Sequence, residues 1–195
     1  LKEVYGASDK IVQDNLERLK ISFLDRNLSP SILSYDGIAN KHLSASIFTD
    51  EEYEYFNTHL RIWIGLYGVL KPFDGIIRYR LEMQSFDLYD FWKDKIYKEV
   101  KDDIIINLAS KEYSKCIEDY LESDVRLINI DFVEEYKGKL VTKATYAKMA
   151  RGEMVRYMAE NRVEDINMLK SFNRMNYQFK EELSDDSNLV FERKK

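Results

Sequence analysis

Three groups of polar and charged residues have the types and spacing that anion binding requires. The first group is Lys71, Arg78 and Arg80. The two arginines lie two residues apart in a segment expected to be extended, so their side chains point to the same side. A planar guanidinium matches the oxygens of a phosphate or a carboxylate. Glu82 shares this parity, and the alternative interpretation is an internal ladder of ion pairs.

The second and third groups each adjoin a predicted element of secondary structure. Polar residues just past the carboxyl end of a strand often line a site in sheets with helical crossovers. Such residues follow the apolar run 104–108, namely Asn107, Ser110, Glu112, Tyr113 and Lys115. The third group, at the start of a predicted late helix, is Tyr146, Lys148 and Arg151. We expect the three groups to converge on one basic cleft lined by tyrosines.

Charge is distributed unevenly along the chain. The 195 residues carry a net charge of −5, which disfavours non-specific binding to nucleic acid when the chain is taken as a whole. Between positions 137 and 162, however, basic residues outnumber acidic ones by seven to two. This concentration indicates a local anion site. The alternative is a solvated face that binds nothing.

The first residues, 1–19, read as a helix-hairpin-helix. An apolar helix end precedes a tight turn at Gly6 and Ala7, and a second helix carrying Lys10 follows. Such a hairpin directs backbone N–H groups and a helix N-terminus at a DNA phosphate without reading bases. An ordinary helical corner is the competing interpretation.

Several other chemistries lack their usual residues. There are two histidines, His42 and His59, with no C-x-x-C or H-E-x-x-H spacing, so we predict no metal site. The glycine spacing fits neither a P-loop nor a dinucleotide fingerprint, and we predict no cofactor. Cys116 is interpreted as a small buried residue rather than a reactive thiol. One cysteine and no long apolar run predict a cytoplasmic protein without a membrane segment.

Hydrophobic periodicity predicts one domain that mixes helices and strands. Helices are expected at 8–20, 49–67, 87–100, 110–121 and 146–162. Strands are expected near 32–38, at 104–108 with both faces covered, at 125–133, and at 177–181 and 189–193. Residues 139–143 are expected to pair with the 125–133 strand as a hairpin through Lys137-Gly138.

Two longer stretches resemble a known protein family. They are HLRIWIGLYGVLKPFDGIIRYRLEM (59–83) and YAKMARGEMVRYMAENRV (146–163). Shorter blocks fall in the same order along the chain: LYDFW (88–92), INLASKEYSK (106–115), LKSFN (169–173) and LVFER (189–193). Together they resemble the YaaA family of bacterial peroxide-stress proteins.

This resemblance implies an α+β fold, with a mixed twisted β-sheet surrounded by helices in a single domain. It also implies a role in lowering free iron during hydrogen peroxide stress, and DNA binding through a basic cleft and a helix-hairpin-helix. No particular reaction is implied. Family members begin with a strand ending in an S-P-A-K-T-like motif, which has no match here, so we expect that segment to be missing from this chain.

Three functional hypotheses remain open at this point. The first is a stress protein that binds DNA with little sequence preference. The second is an enzyme acting on a small anionic or nucleotide-like substrate, with Glu82, Glu112 and Tyr113 as acid, base or ion-pair groups beside the arginines. The third is direct iron handling by carboxylates, which the scarcity of soft ligands disfavours.

Overall fold

The computed structural model describes residues 8–21, 28–77, 79 and 81–194. Short helices and strands alternate along these residues. The helices are α1 (Asp9–Ile21), α2 (Ser31–Ser34), α3 (Ile38–Leu43), α4 (Asp50–His59), α5 (Leu88–Trp92), α6 (Lys95–Val100), α7 (Lys111–Glu118), α8 (Ala144–Glu160) and α9 (Ile166–Leu169). The strands are β1 (Ser29–Pro30), β2 (Ile62–Ile64), β3 (Gly68–Leu70), β4 (Gly75–Ile76), β5 (Ile104–Asn107), β6 (Arg126–Tyr136), β7 (Lys139–Val141), β8 (Tyr177–Phe179) and β9 (Asn188–Arg193).

The chain divides into two compact units. The first unit takes its residues from 1–35, 59–101 and 109–122, and it holds β1–β4. The second unit takes its residues from 36–58, 102–108 and 123–195, and it holds β5–β9 and the long helix α8. The predicted α+β class is confirmed by this mixture of helices with parallel and antiparallel strands. The predicted single domain stays a prediction.

The second unit is built on a five-stranded mixed sheet. Its order is β5-β6-β9-β8, and β7 pairs with the far end of β6. β6 runs parallel to β5 and to β9, whereas β7 and β8 are antiparallel to their neighbours. Strand β6 is therefore the centre of the sheet, and its side chains alternate between two faces.

One face of this sheet forms the core of the second unit. Ile128, Ile130 and Phe132 of β6 are at most 3% exposed and pack with small residues of α8. Helix α8 also lies close to α3, because a Cβ built on Gly152 would stand 2.0 Å from the carbonyl oxygen of Ala39. Small residues along α8 thus set its position between the sheet and α3.

The first unit contains two short antiparallel ladders. β1 pairs with β4, and β2 pairs with β3 across a turn at residues 65–67. Gly68 ends that turn with φ +73°, a conformation that glycine adopts without strain. The hydroxyl of Tyr67 then accepts from the N–H of Ile77 and donates to its carbonyl, both at 3.2 Å. These bonds hold the chain just before position 78.

Several predicted elements are wrong. The helix predicted over 49–67 ends at His59, because the apolar residues that follow form the β2–β3 hairpin. The helix predicted over 87–100 is two helices that are broken at Lys93, where φ is +47°. The strand predicted near 32–38 is instead the short helix α2, in which the hydroxyl of Ser34 bonds the carbonyl of Pro30 at 2.7 Å.

The strand predicted at 104–108 is present as β5, but it is not covered on both faces, since Ile104 is 41% exposed. The other predictions are confirmed to within a few residues, including the Lys137-Gly138 hairpin. In the described part of the chain, no helix combines the length and apolar character that a bilayer span requires.

Candidate functional site

The predicted site residues fall into three sets. Gly6, Arg78 and Arg80 lie outside the described residues, as does the first part of the predicted helix-hairpin-helix. Lys10 is exposed on α1. The first unit holds Lys71, Glu82, Ser110, Glu112, Tyr113 and Lys115, and the second unit holds Asn107, Tyr146, Lys148 and Arg151. The convergence of all groups on one cleft therefore stays a prediction.

Lys71 lies in the tight turn between β3 and β4. Its N–H donates to Oδ2 of Asp74 at 2.7 Å, and its carbonyl accepts from the hydroxyl of Ser31 at 2.6 Å. The residue is exposed, and its ammonium group forms no ion pair within the described residues. The backbone of this turn is fixed while the charge remains available to an anion.

Tyr113 and Glu82 are coupled in the first unit. Burial is the main cause that raises the pKa of the Tyr113 phenol, and the negative charges of Glu82 and Glu112 and a hydrogen bond to Glu82 add to it. The phenol therefore stays protonated and donates towards carboxylate. Oε1 of Glu112 also accepts from the N–H of Gln84 at 3.4 Å.

Tyr35, in the same unit, has a buried hydroxyl without a hydrogen-bond partner in the described part of the chain. Burial, followed by the influence of Tyr67, raises its pKa to about 12. An unsatisfied buried hydroxyl is costly, on the order of 1–3 kcal/mol. Among the described residues of the first unit, Nε1 of Trp63 is likewise buried without a partner.

Ser110 precedes α7, and Lys115 lies in the last turn of that helix. Ser110 is the N-cap of this helix, but its hydroxyl makes no capping bond. The Lys115 ammonium lies 4.9 Å from the ring centroid of Tyr89, at a shallow cleft that Trp92 and Cys116 also line. Cys116 is 4% exposed, as predicted, and burial raises the pKa of its thiol to about 11.

Asn107 belongs to a ladder of amides across the three parallel strands of the second unit. Its Nδ2 donates to Oδ1 of Asn129 at 2.7 Å, and Nδ2 of Asn129 donates to Oδ1 of Asn188 at 3.3 Å. The strand register places the three residues side by side. Asn107 is therefore already engaged within the sheet, which weakens its predicted role as a ligand contact.

The N-terminus of α8 carries the third predicted group. Tyr146 and Lys148 are exposed, and Arg151 is half-buried. The side chain of the N-cap residue, Lys143, makes no capping bond, and the first turn of the helix contains no acidic residue. The first four backbone N–H groups of a helix lack intrahelical partners, and together with the helix dipole they favour an anion.

The cations between 137 and 162 differ sharply in their partners. Nε of Arg156 bonds Oε1 of Glu160 at 2.7 Å, and Nη2 of Arg162 bonds Oε2 of Glu51 at 2.5 Å. The other five cations form no ion pair in the described part of the chain. They are Lys137, Lys139, Lys143, Lys148 and Arg151, and we call them the unpaired basic stretch.

The two acids in this region are both occupied. Glu153 bonds Nδ1 of His42 at 3.1 Å and Nη1 of Arg174 at 3.3 Å. Glu160 bonds Arg156 and Arg174. All of these contacts lie along the later part of α8 or beyond it, so neither carboxylate neutralises a cation of the unpaired basic stretch.

Aromatic rings contact two lysines of the unpaired basic stretch, and a third cation contacts the ring of Tyr146. The ammonium groups of Lys143 and Lys137 lie 4.1 Å and 5.4 Å from the ring centroid of Tyr136. The guanidinium of Arg193 lies 3.8 Å from the ring of Tyr146 and bonds the buried carboxylate of Glu134 at 3.2 Å. These contacts connect the start of α8 and the β6–β7 hairpin to each other and to β9.

Arg151 has an unusual environment among these cations. Its Nε is buried and has no hydrogen-bond partner within the described residues. Burial lowers the pKa of its guanidinium, and the negative charge of Asp131 partly offsets that effect. An anion beside Arg151 would therefore relieve the cost of its burial.

Two features of the site were missed from the sequence. The hairpin lysines were counted in the basic region but were not assigned to the site, although Lys137-Gly138 marks their shared turn. The amide ladder gave no usable signal, because Asn129 and Asn188 stand in separate strands whose pairing the sequence does not reveal.

No group of three or more His, Cys, Asp or Glu able to hold a metal occurs among the described residues.

Comparison with known proteins finds one matching family profile and several similar proteins. Residues 1–183 match the sequence profile of the family described as peroxide stress protein YaaA. A UPF0246 protein of Agathobacter rectalis is 50% identical over 203 residues, which cover 100% of this chain and 82% of that protein. UPF0246 proteins of Desulfitobacterium hafniense and Lachnoclostridium phytofermentans are each 44% identical, over 98% and 97% of this chain and 80% and 78% of their own lengths.

Proposed function

The chain belongs to the YaaA peroxide stress family, and from that premise we propose that it binds DNA through the unpaired basic stretch of the second unit. The observation that carries the proposal is a contrast among the described residues: five cations form no ion pair, whereas Arg156, late in α8, and Arg162, just past its end, pair with carboxylates. The phosphates of a polyanion such as DNA would pair with these five cations.

The uncapped N-terminus of α8 supports the same ligand. The N–H groups of its first turn and the ammonium of Lys148 suit a phosphate oxygen, and Lys143, which lies over the ring of Tyr136, adds a second cation. Contacts of this kind are made to the sugar–phosphate backbone of DNA rather than to base edges. Binding is therefore expected to depend strongly on salt and weakly on sequence.

In the cell, we propose, this binding helps to limit oxidative damage linked to free iron during peroxide stress. The support is the family description together with the cationic surface. A protein that coats the sugar–phosphate backbone restricts the approach of iron and of the radicals that iron generates from peroxide. The measurement is plasmid nicking by iron and hydrogen peroxide, with and without the protein.

The test of DNA binding is a salt titration of a fluorescent duplex by anisotropy. Each phosphate contact contributes roughly −0.9 to the slope of log K against log salt. The variant Lys143→Gln with Lys148→Gln removes two cations without ion pairs, and the slope should become shallower by about 1.8.

The matched control is Arg156→Gln with Arg162→Gln, which lowers the net charge by the same amount at two ion-paired positions. Its slope should stay within about 0.5 of the parent value, because these cations already face carboxylates. Equal effects of the two variants would mean that binding depends on the net charge of the protein and not on the unpaired basic stretch. A parent protein that binds no duplex at low salt would end it.

An enzyme acting on a small anionic or nucleotide-like substrate is the second candidate. The partnerless hydroxyl of Tyr35 favours it, since a substrate oxygen could complete that group. The coupling of Tyr113 to Glu82 speaks against it, because each occupies the other and neither is available as acid or base. The test is Tyr35→Phe: binding of nucleoside phosphates that is unchanged by loss of the hydroxyl would eliminate this candidate.

A further inference from the structure

The β6–β7 hairpin has an exposed tip, and contacts to the sugar–phosphate backbone of DNA do not by themselves require such a tip. Residues 135–140 are all exposed, and they include two large side chains, Tyr136 at 43% and Leu140 at 45%. Lys137 and Gly138 turn the chain with φ +52° and +75°. This is the two-residue turn that matches the twist of paired strands, so the tip is a regular ribbon rather than a loop.

The tip projects beyond the rest of the sheet. β9 pairs with β6 only as far as Glu134, and in the described part of the chain β7 is the only strand paired with residues 135 and 136. Two residues and the turn extend about 10 Å past the last β9 pair, at roughly 3.4 Å per residue. A Cβ built on Gly138 would meet no atom within 4 Å, so open space surrounds the turn.

The tip combines positive charge with one apolar side chain. Lys137 and Lys139 stand at the turn and form no ion pair within the described residues. Glu134 is buried against Arg193, which leaves Glu135 as the one exposed acid among residues 134–141. Leu140 lies directly opposite Glu135 and faces solvent. Such a tip suits a groove with anionic rims and a partly apolar floor.

We infer that residues 135–140 enter the major groove of duplex DNA. The inference rests on the proposed function and adds the groove and the element that occupies it. The major groove is about 12 Å wide and about 8.5 Å deep and admits a two-stranded ribbon, whereas the minor groove is about 6 Å wide. Lys137 and Lys139 reach the phosphates of the rims, and Leu140 contacts base edges such as the thymine methyl group.

The test uses two duplexes of one sequence with the same number of phosphates. In one of them, every cytosine carries a glucosylated hydroxymethyl group at C5, which fills the major groove and leaves the backbone charge unchanged. The parent protein should bind the filled duplex about tenfold more weakly. A variant with Lys139→Gln and Leu140→Ser should bind both duplexes with affinities within about twofold of each other.

A matched variant, Lys148→Gln, should weaken binding to both duplexes and keep the preference between them. If the hairpin variant loses its circular dichroism spectrum, Lys137→Gln at the exposed turn takes its place and should lower the preference in the same direction. Equal affinity of the parent protein for the two duplexes overturns the inference and leaves the proposed function standing. Absence of any duplex binding at low salt overturns both.

Discussion

Replacement of Gly152 by alanine is expected to destabilise the protein, although alanine is the better helix former. Gly152 is buried in the middle of α8 and faces α3. An added Cβ would stand 2.0 Å from the carbonyl oxygen of Ala39, 2.9 Å from its carbonyl carbon and 3.0 Å from Cβ of His42. Two of these three atoms are backbone, so no side-chain rotation relieves the contact.

The magnitude follows from two opposing effects. Alanine gains about 1 kcal/mol over glycine in a helix interior. The contact requires α3 to retreat by more than about 1 Å, and overpacking of this kind typically costs about 1–3 kcal/mol and occasionally more. That retreat also stretches the 3.1 Å contact between His42 and Glu153. A 2.0 Å contact with backbone places the cost at the upper end of this range or above it, so the net expectation is a loss of about 2 kcal/mol, which for this chain length lowers Tm by roughly 4–8 °C.

Gly37→Ala is the matched control, because Gly37 is the N-cap of the same helix α3. Its φ of −71° is open to any residue, and an added Cβ would meet only Oδ1 of Asn40, at 3.6 Å. Its effect should lie within about 0.5 kcal/mol of zero. Urea denaturation followed by circular dichroism measures both variants. A Gly152→Ala protein as stable as the parent would show that α3 and α8 are not held at this distance.

Two further predictions concern buried groups. Because burial raises the pKa of Cys116 to about 11, roughly one thiol in a thousand is ionised at pH 8. Its reaction with a disulfide reagent should be about a hundredfold slower than in the urea-unfolded chain; an equal rate would contradict the burial. The unfolded chain releases this proton near pH 9 and the folded chain does not, so stability should fall from pH 9 to pH 11, and Cys116→Ser should remove that part of the decline. Glu134→Gln leaves the guanidinium of Arg193 without its carboxylate and should cost about 2 kcal/mol by urea denaturation, whereas Glu135→Gln at the neighbouring exposed position should change stability by less than about 0.5 kcal/mol.

The parts of the fold that could be predicted are those where local pattern and tertiary packing agree. β6 alternates strictly, and the sheet does bury Ile128, Ile130 and Phe132 on one face. The Lys137-Gly138 turn was predictable from its glycine, because Gly138 adopts a positive φ without strain, whereas the positive φ of Lys137 is uncommon for a residue with a Cβ. In such segments the hydrophobic period alone decides the structure.

The errors arose where distant contacts decide. Helix α4 ends at His59 because β2 finds its partner in β3, and a run of Ile, Trp and Ile has no helical period to oppose that pairing. The helix predicted through Lys93 is broken, since Phe91 is 59% exposed while Ile96 is buried, so one continuous stripe does not describe both halves. Neither the pairing of β2 with β3 nor the exposure of Phe91 can be read from the pattern of one sequence.

The candidate site was predictable as a charge count but not as a surface. The excess of cations between 137 and 162 is visible in the sequence, whereas the neutralising partner of Arg162 is Glu51, 111 positions earlier. Without that pairing, Arg162 and Lys148 look equivalent. The structure separates them and moves the focus of the site towards the hairpin and the start of α8.

The net charge of −5 does not oppose DNA binding at this surface. At physiological ionic strength the Debye length is about 8 Å, so an approaching phosphate responds to charges near the surface it meets rather than to the total. Around the start of α8 and the β6–β7 hairpin those charges are four lysines, one arginine and the positive end of a 17-residue helix, which together outnumber the carboxylates of Asp131 and Glu135. The acids of α8 lie farther along and are bonded to arginines or to a histidine. An acidic protein with such a surface should associate with DNA in one orientation, because the remainder of its charge repels the polyanion.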